Sequence, residues 1–138
     1  MPYATLADLS ARFGDEELIQ LTDRLGTGTV DVAVVQAALD EADAEIDAHL
    51  AGRHALPLVA VPPILVRLAC DIARYRLMSD TPPEEARKRY EDARRLLESL
   101  AAGRVSLGLP SAQQPATQGA VSVSAPPAVF DDAGLRGY

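Results

Sequence analysis

At 138 residues, 48% of them hydrophobic, the chain is long enough for one domain with its own core. The net charge of −7 is uneven: residues 1–62 hold 3 Arg and 11 Asp or Glu, whereas residues 63–110 hold 9 basic and 7 acidic side chains. The acidic front half argues against a plain nucleic-acid binder, the single Cys70 excludes an intrachain disulfide, and the absence of a long apolar run or signal segment predicts a soluble protein made in a reducing cytoplasm.

Taken in order, Thr5-Leu-Ala-Asp8 reads as a helix start, a hydroxyl cap with an acid three residues on. Leu6, Leu9 and Phe13 then share a face, Gly14 stops the helix, and Asp15 caps a second one carrying Leu18, Ile19 and Leu21. Together they predict a helical hairpin. Gly26-Thr27-Gly28 is a turn; a phosphate loop would need a preceding strand and a following Lys, and neither is present.

Asp31 caps the next helix, along which Val32, Val35, Leu39, Ala42, Ile46 and Leu50 recur at helical spacing, with Gly52 expected as a left-handed stop. Its other side carries Asp40, Asp43 and Asp47 in one row and Glu41 and Glu45 in the next. Three readings of these acids stand: a solvated face, acid–base or metal chemistry, or the negative lining of a channel if copies form a ring. His49 and His54 lack zinc spacing and no Cys cluster accompanies them, so no metal or cofactor is expected.

Residues 53–63, RHALPLVAVPP, form a proline-bounded connection. Pro63 to Met78, PILVRLACDIARYRLM, is the central helix: apolar over most of its circumference, it belongs between other helices, with Arg67, Asp71 and Arg74 as its one wet strip. Cys70 falls on the apolar arc and reads as a small buried hydrophobe. Thr81-Pro-Pro-Glu84 marks the last helix, with Thr81 as its cap and both prolines in its first turn, running to Gly103, with Glu84–Lys88, Glu85–Arg89 and Glu91–Arg95 as i, i+4 pairs. Its basic groups Arg87, Lys88, Arg89, Arg94 and Arg95 alternate with acids, which predicts a salt-bridged exposed face. The fold class is therefore all-α: a small bundle of four to five helices over residues 1–109, with residues 110–138 as an extended C-terminal arm.

That arm changes composition to Ala, Pro, Gln, Ser and Thr. So little apolar surface does not offset the roughly 1 to 2 kcal/mol per residue of ordering, and its order would come from another chain. Val121 and Val123 alternate with Ser122 and Ser124, as in a strand added to a neighbour. Phe130, Leu135, Arg136 and Tyr138 are docking groups of the kind interfaces favour.

Several stretches, Tyr3-Ala-Thr-Leu-Ala-Asp-Leu, Ala42-Asp-Ala-Glu-Ile-Asp-Ala-His-Leu-Ala-Gly-Arg, Leu56-Pro-Leu, Val61-Pro-Pro and Cys70-Asp-Ile-Ala-Arg-Tyr, resemble the Mu-type tailed-phage head–tail connector (adaptor) family over about residues 1–109. His54 stands where that family leads one to expect an aromatic. The resemblance implies a virion protein of the neck, made in the host cytoplasm, that assembles as a dodecameric ring beneath the portal protein. Such a ring extends the channel for double-stranded DNA and presents a surface to the next neck or tail-completion protein. It brings no catalytic residue, and it implies that Phe130 to Tyr138 docks on the portal.

Two rival readings come from the residues. Leu6 to Gly14 looks like the first part of a helix-turn-helix DNA-binding regulator, but the would-be recognition helix, Asp15 to Asp23, carries four acids and no base. The other is a generic helical interaction protein. An enzyme is disfavoured because nothing clusters a nucleophile, a base and an oxyanion donor.

Overall fold

The computed structural model describes residues 1–78 and 80–109. Five helices follow in order, α1 Leu6–Phe13, α2 Asp15–Thr22, α3 Val32–Leu50, α4 Pro63–Leu77 and α5 Glu84–Ala101, and the described residues contain no strand. The docking groups Phe130, Leu135, Arg136 and Tyr138, and the whole arm 110–138, lie outside the described residues.

Local chemistry sets most of the boundaries. The Thr5 hydroxyl accepts from the Asp8 N–H while the Asp8 carboxylate accepts from the Thr5 N–H, a complete capping box for α1. The Asp31 carboxylate accepts from the N–H groups of Ala33 and Val34 and starts α3. Pro63 sits in the first turn of α4, where a missing N–H costs nothing.

Four local expectations are corrected. Asp15 does not cap α2; it is the first helical residue, Gly14 holds the cap position, and no side chain caps that end. Gly52 is not left-handed; the chain leaves α3 through a right-handed Ala51, and the N–H groups of Arg53 and His54 both donate to the Leu50 carbonyl, satisfying it without a reversal. Thr81 does not cap α5, because the two prolines put Pro83 at the cap position, and Glu84 and Glu85 face the positive helix end instead. Glu84 pairs with Arg87 and not with Lys88, whereas Glu85–Arg89 and Glu91–Arg95 form as expected.

The core gathers around α4, which packs against α1, α3 and α5. Leu65, Leu68, Ala69, Cys70, Ile72 and Ala73 are fully buried on it, and they meet Leu9, Leu39, Ile46, Leu50, Leu97 and Leu100 from the other helices. Burial pushes the Cys70 thiol up to about 11, so it behaves as an apolar filler. The polar strip of α4 is not wet. Only Arg67 is half-exposed; Asp71 and Arg74 are 3% and 9% exposed, Arg74 meeting Glu17 of α2 and Glu85 of α5 and Asp71 meeting Arg89 of α5.

Candidate functional site

Two polar assemblies organise the bundle, and both draw on acids that helical periodicity alone places in water. The first is built on α4. Arg74 Nε donates to Glu17 Oε2 at 2.6 Å and Nη1 donates to Glu85 Oε1 at 3.0 Å, so one guanidinium ties α2, α4 and α5 together. Its plane also lies 4.5 Å over the Phe13 ring, which joins the end of α1. The paired carboxylates hold the guanidinium more firmly protonated than usual, and Arg74 in turn holds the Glu85 carboxyl below its ordinary range.

One turn earlier, Asp71 has looser cationic partners, Arg89 Nη1 at 3.7 Å and Arg67 Nε at 3.8 Å, with Arg12 of α1 adding its charge. Burial therefore dominates and raises its pKa despite those charges.

The second assembly is the acidic side of α3, and its five carboxylates do not share one solvated face. Asp43 accepts from the Tyr3 N–H at 3.0 Å and is buried; Asp47 accepts from the Tyr3 hydroxyl and pairs with the Met1 ammonium at 2.8 Å. Helix α3 thus clamps the N-terminal segment, and burial raises the pKa of Asp43 and of the Tyr3 phenol. Glu45 meets Arg76 at 2.7 Å and the Tyr90 hydroxyl at 3.2 Å, beside the Tyr75–Tyr90 stack with ring centroids 4.3 Å apart. Asp40 and Glu41 stay exposed, Asp40 accepting from Gln36 Nε2 at 2.9 Å.

The wet-face reading thus fails for Asp43 and holds for Asp40 and Glu41. Among the described residues no group of three or more His, Cys, Asp or Glu is placed to hold a metal ion. Nor does α2 present a DNA-reading face: Asp15 and Glu16 are exposed at its start and Glu17 is spent on Arg74.

Sequence reasoning placed these acids on the right helix and missed their partners. The signal for one of them lay in the chain: Tyr3 is a large amphipathic residue ahead of a capping box, which needs a polar partner once buried.

A helical bundle held by such inter-helix ion pairs, with a proline-bounded loop between its two longest-packed helices, matches one family model, bacteriophage Mu, Gp36, over residues 3–125. The chain belongs to the bacteriophage Mu Gp36 family. It is 42% identical over 107 residues to the Mu-like prophage FluMu protein gp36 of Haemophilus influenzae, covering 78% of this chain and 76% of that protein. It is 38% identical over 133 residues to gene product J of Escherichia phage Mu, covering 94% of each. The Gp36 match takes in α1 to α5 whole, so both polar assemblies lie inside the family region.

Proposed function

We propose that this chain is a structural virion protein, a head–tail connector that forms a ring beneath the portal and extends the DNA channel toward the neck and tail. Membership of the Mu Gp36 family is the observation that carries this reading, and the all-α bundle agrees with it. The protein acts by shape and charge, without catalysis or cofactor. Its partners are copies of itself, the portal protein, the next neck protein and, passively, double-stranded DNA.

In the ring, exposed Asp40 and Glu41 are the acids able to face a channel, since Asp43, Asp47 and Glu45 are engaged within the subunit. A negative wall repels DNA phosphates and lets the duplex slide. The arm 110–138 reaches the portal and docks through Phe130, Leu135, Arg136 and Tyr138. Removing residues 111–138 should leave a folded bundle that no longer binds portal. Unchanged portal binding would refute the docking role, and a ring with Asp40 and Glu41 on its outer rim would refute the channel role.

A further inference from the structure

The bundle is electrically bipolar along its long axis. Helix α3 has 19 residues and spans about 28 Å, and the chain doubles back so that α4 and α5 each run between the same two ends. At one end lie the loop after α3, the start of α4 and the exit from α5, where a Cβ on Gly103 would meet the Arg53 guanidinium. Residues 48–70 and 99–109, which build this end, contain Arg53, Arg67 and Arg104 and no Asp or Glu; Arg67 pairs with Asp71, and the bordering Asp47 and Glu98 pair with the Met1 ammonium and Arg94, which leaves Arg53 and Arg104 as the net positive charge.

At the other end lie α2, the loop to α3 and the α4–α5 turn. Residues 15–31 and 80–85 there hold eight acids and one base, Arg24. Arg74 pairs here with Glu17 and Glu85 and Arg87 pairs with Glu84, which leaves Asp15, Glu16, Asp23, Asp31 and Asp80 against Arg24; Arg76 is paired with Glu45.

The exposed large apolar side chains follow the same division. Val59 is 80% and Val105 44% exposed at the basic end; Leu25 is 88% and Val32 58% exposed at the acidic end. A groove between α3 and the end of α4 is lined by Ala33, Val34, Ala37 and Leu77 with the charged groups Arg24, Arg76 and Glu41, and Leu25 and Val32 are chain neighbours of its lining residues Arg24 and Ala33. The flank of α5, by contrast, is laced with ion pairs such as Arg95–Asp92 at 2.8 Å and Arg87–Glu91 at 2.5 Å.

We infer that copies of this chain associate head to tail, the basic end of one, with Val59 projecting from its loop, seating on the acidic end of the next, over exposed Leu25 and Val32 and the adjoining groove between α3 and the end of α4. The occupant is a second copy because knob and groove, and the opposite charges around them, are both present on one molecule. Such a pairing of unlike surfaces is heterologous and closes into a ring when the rotation per step allows. The contact deepens the ring reading above and rests on it; it takes Glu41 into the subunit contact and leaves Asp40 as the exposed acid for the channel wall. Charge brings the ends together and apolar contact holds them, so association weakens as salt rises.

The test uses the full chain, alone and mixed with its portal. L25C and V59C are made singly and together and oxidised; fully buried Cys70 does not compete. The double variant should give a ladder of crosslinked dimers, trimers and larger species, and an equal mixture of the two single variants should give a mixed dimer. If neither appears with or without portal, the contact is wrong. Leu25→Asp and Val59→Asp, both at exposed positions, should keep the helical circular-dichroism signal and weaken self-association at least tenfold by sedimentation. Rings that still form on portal with these Asp variants overturn the end-to-end contact and leave the ring reading standing. Crosslinked ladders from a protein that never forms a ring with portal would keep the contact and sink the ring.

Discussion

Arg74 and Glu17 stand 57 residues apart in the chain and meet with Nε 2.6 Å from Oε2, the guanidinium side chain only 10% exposed. A buried charge with one partner removed is costly, so this pair and the Arg74–Glu85 contact fix how the α1–α2 hairpin sits on α4 and α5. Arg74→Ala should destabilise the fold by about 2 kcal/mol, below the full loss of a buried pair because Glu85 is half-exposed. Arg74→Lys should recover only part, since an ammonium cannot reach two carboxylates as a fork. Urea denaturation measures both, and a loss under about 0.5 kcal/mol for Arg74→Ala would show the contact to be no better than a surface pair.

Asp71 has the opposite character, a carboxylate whose burial outweighs its distant cations. Its folded pKa is raised, so the folded state holds the proton more tightly than the unfolded one. The cost of the buried charge is therefore present at neutral pH and disappears as pH falls through the folded value. Asp71→Asn should raise the melting temperature at pH 7 by a few degrees, and the gain should vanish below about pH 4. A variant that melts lower than wild type at pH 7 would mean that Arg67 and Arg89 stabilise Asp71 more than burial penalises it.

His54 is buried at 9% exposure with Nδ1 lacking a hydrogen-bond partner among the described residues. Burial, and then the nearby Arg53 charge, lower its pKa below 6.5. The unfolded state takes the proton first, so stability is lost as pH falls below about 6.5, by no more than about 1.4 kcal/mol per pH unit. His54→Phe should flatten that part of the stability curve between pH 7 and pH 5. Parallel curves for variant and wild type would show that His54 is not the responsible group.

Gly103 leaves α5 at φ 78°, and a Cβ there would come 2.7 Å from the Arg53 guanidinium carbon. Gly103→Ala should cost about 1 to 2 kcal/mol from the left-handed backbone alone, with a little more from displacing Arg53. Gly28→Ala, at φ 79° with open space around it, separates the two contributions. Equal losses in thermal melts would assign the whole effect to backbone strain.

Leu68, fully buried on α4, should cost about 2 to 5 kcal/mol when cut to Ala. Val59→Ala on the exposed loop should leave the melting temperature of dilute protein unchanged. A comparable loss at both positions would contradict the packing around α4.

An all-α bundle of four to five helices, the Thr5–Asp8 box, the Asp31 cap, Pro63 in a first turn and the burial of Cys70 were all legible in the amino-acid sequence. Each depends on residues within about one helical turn of one another, and a 3.6-residue period carries that information. Only the tertiary structure decided which charges are wet. Asp71 and Arg74 lie on the polar arc of α4 by periodicity and are covered by helices that start elsewhere in the chain, and Asp43 and Asp47 are taken by Tyr3 and Met1. A helical wheel distinguishes polar from apolar, but it holds no information about what another segment of the chain lays over a polar face, whether that segment brings a partner, as for Arg74 and Asp43, or mainly excludes water, as for Asp71.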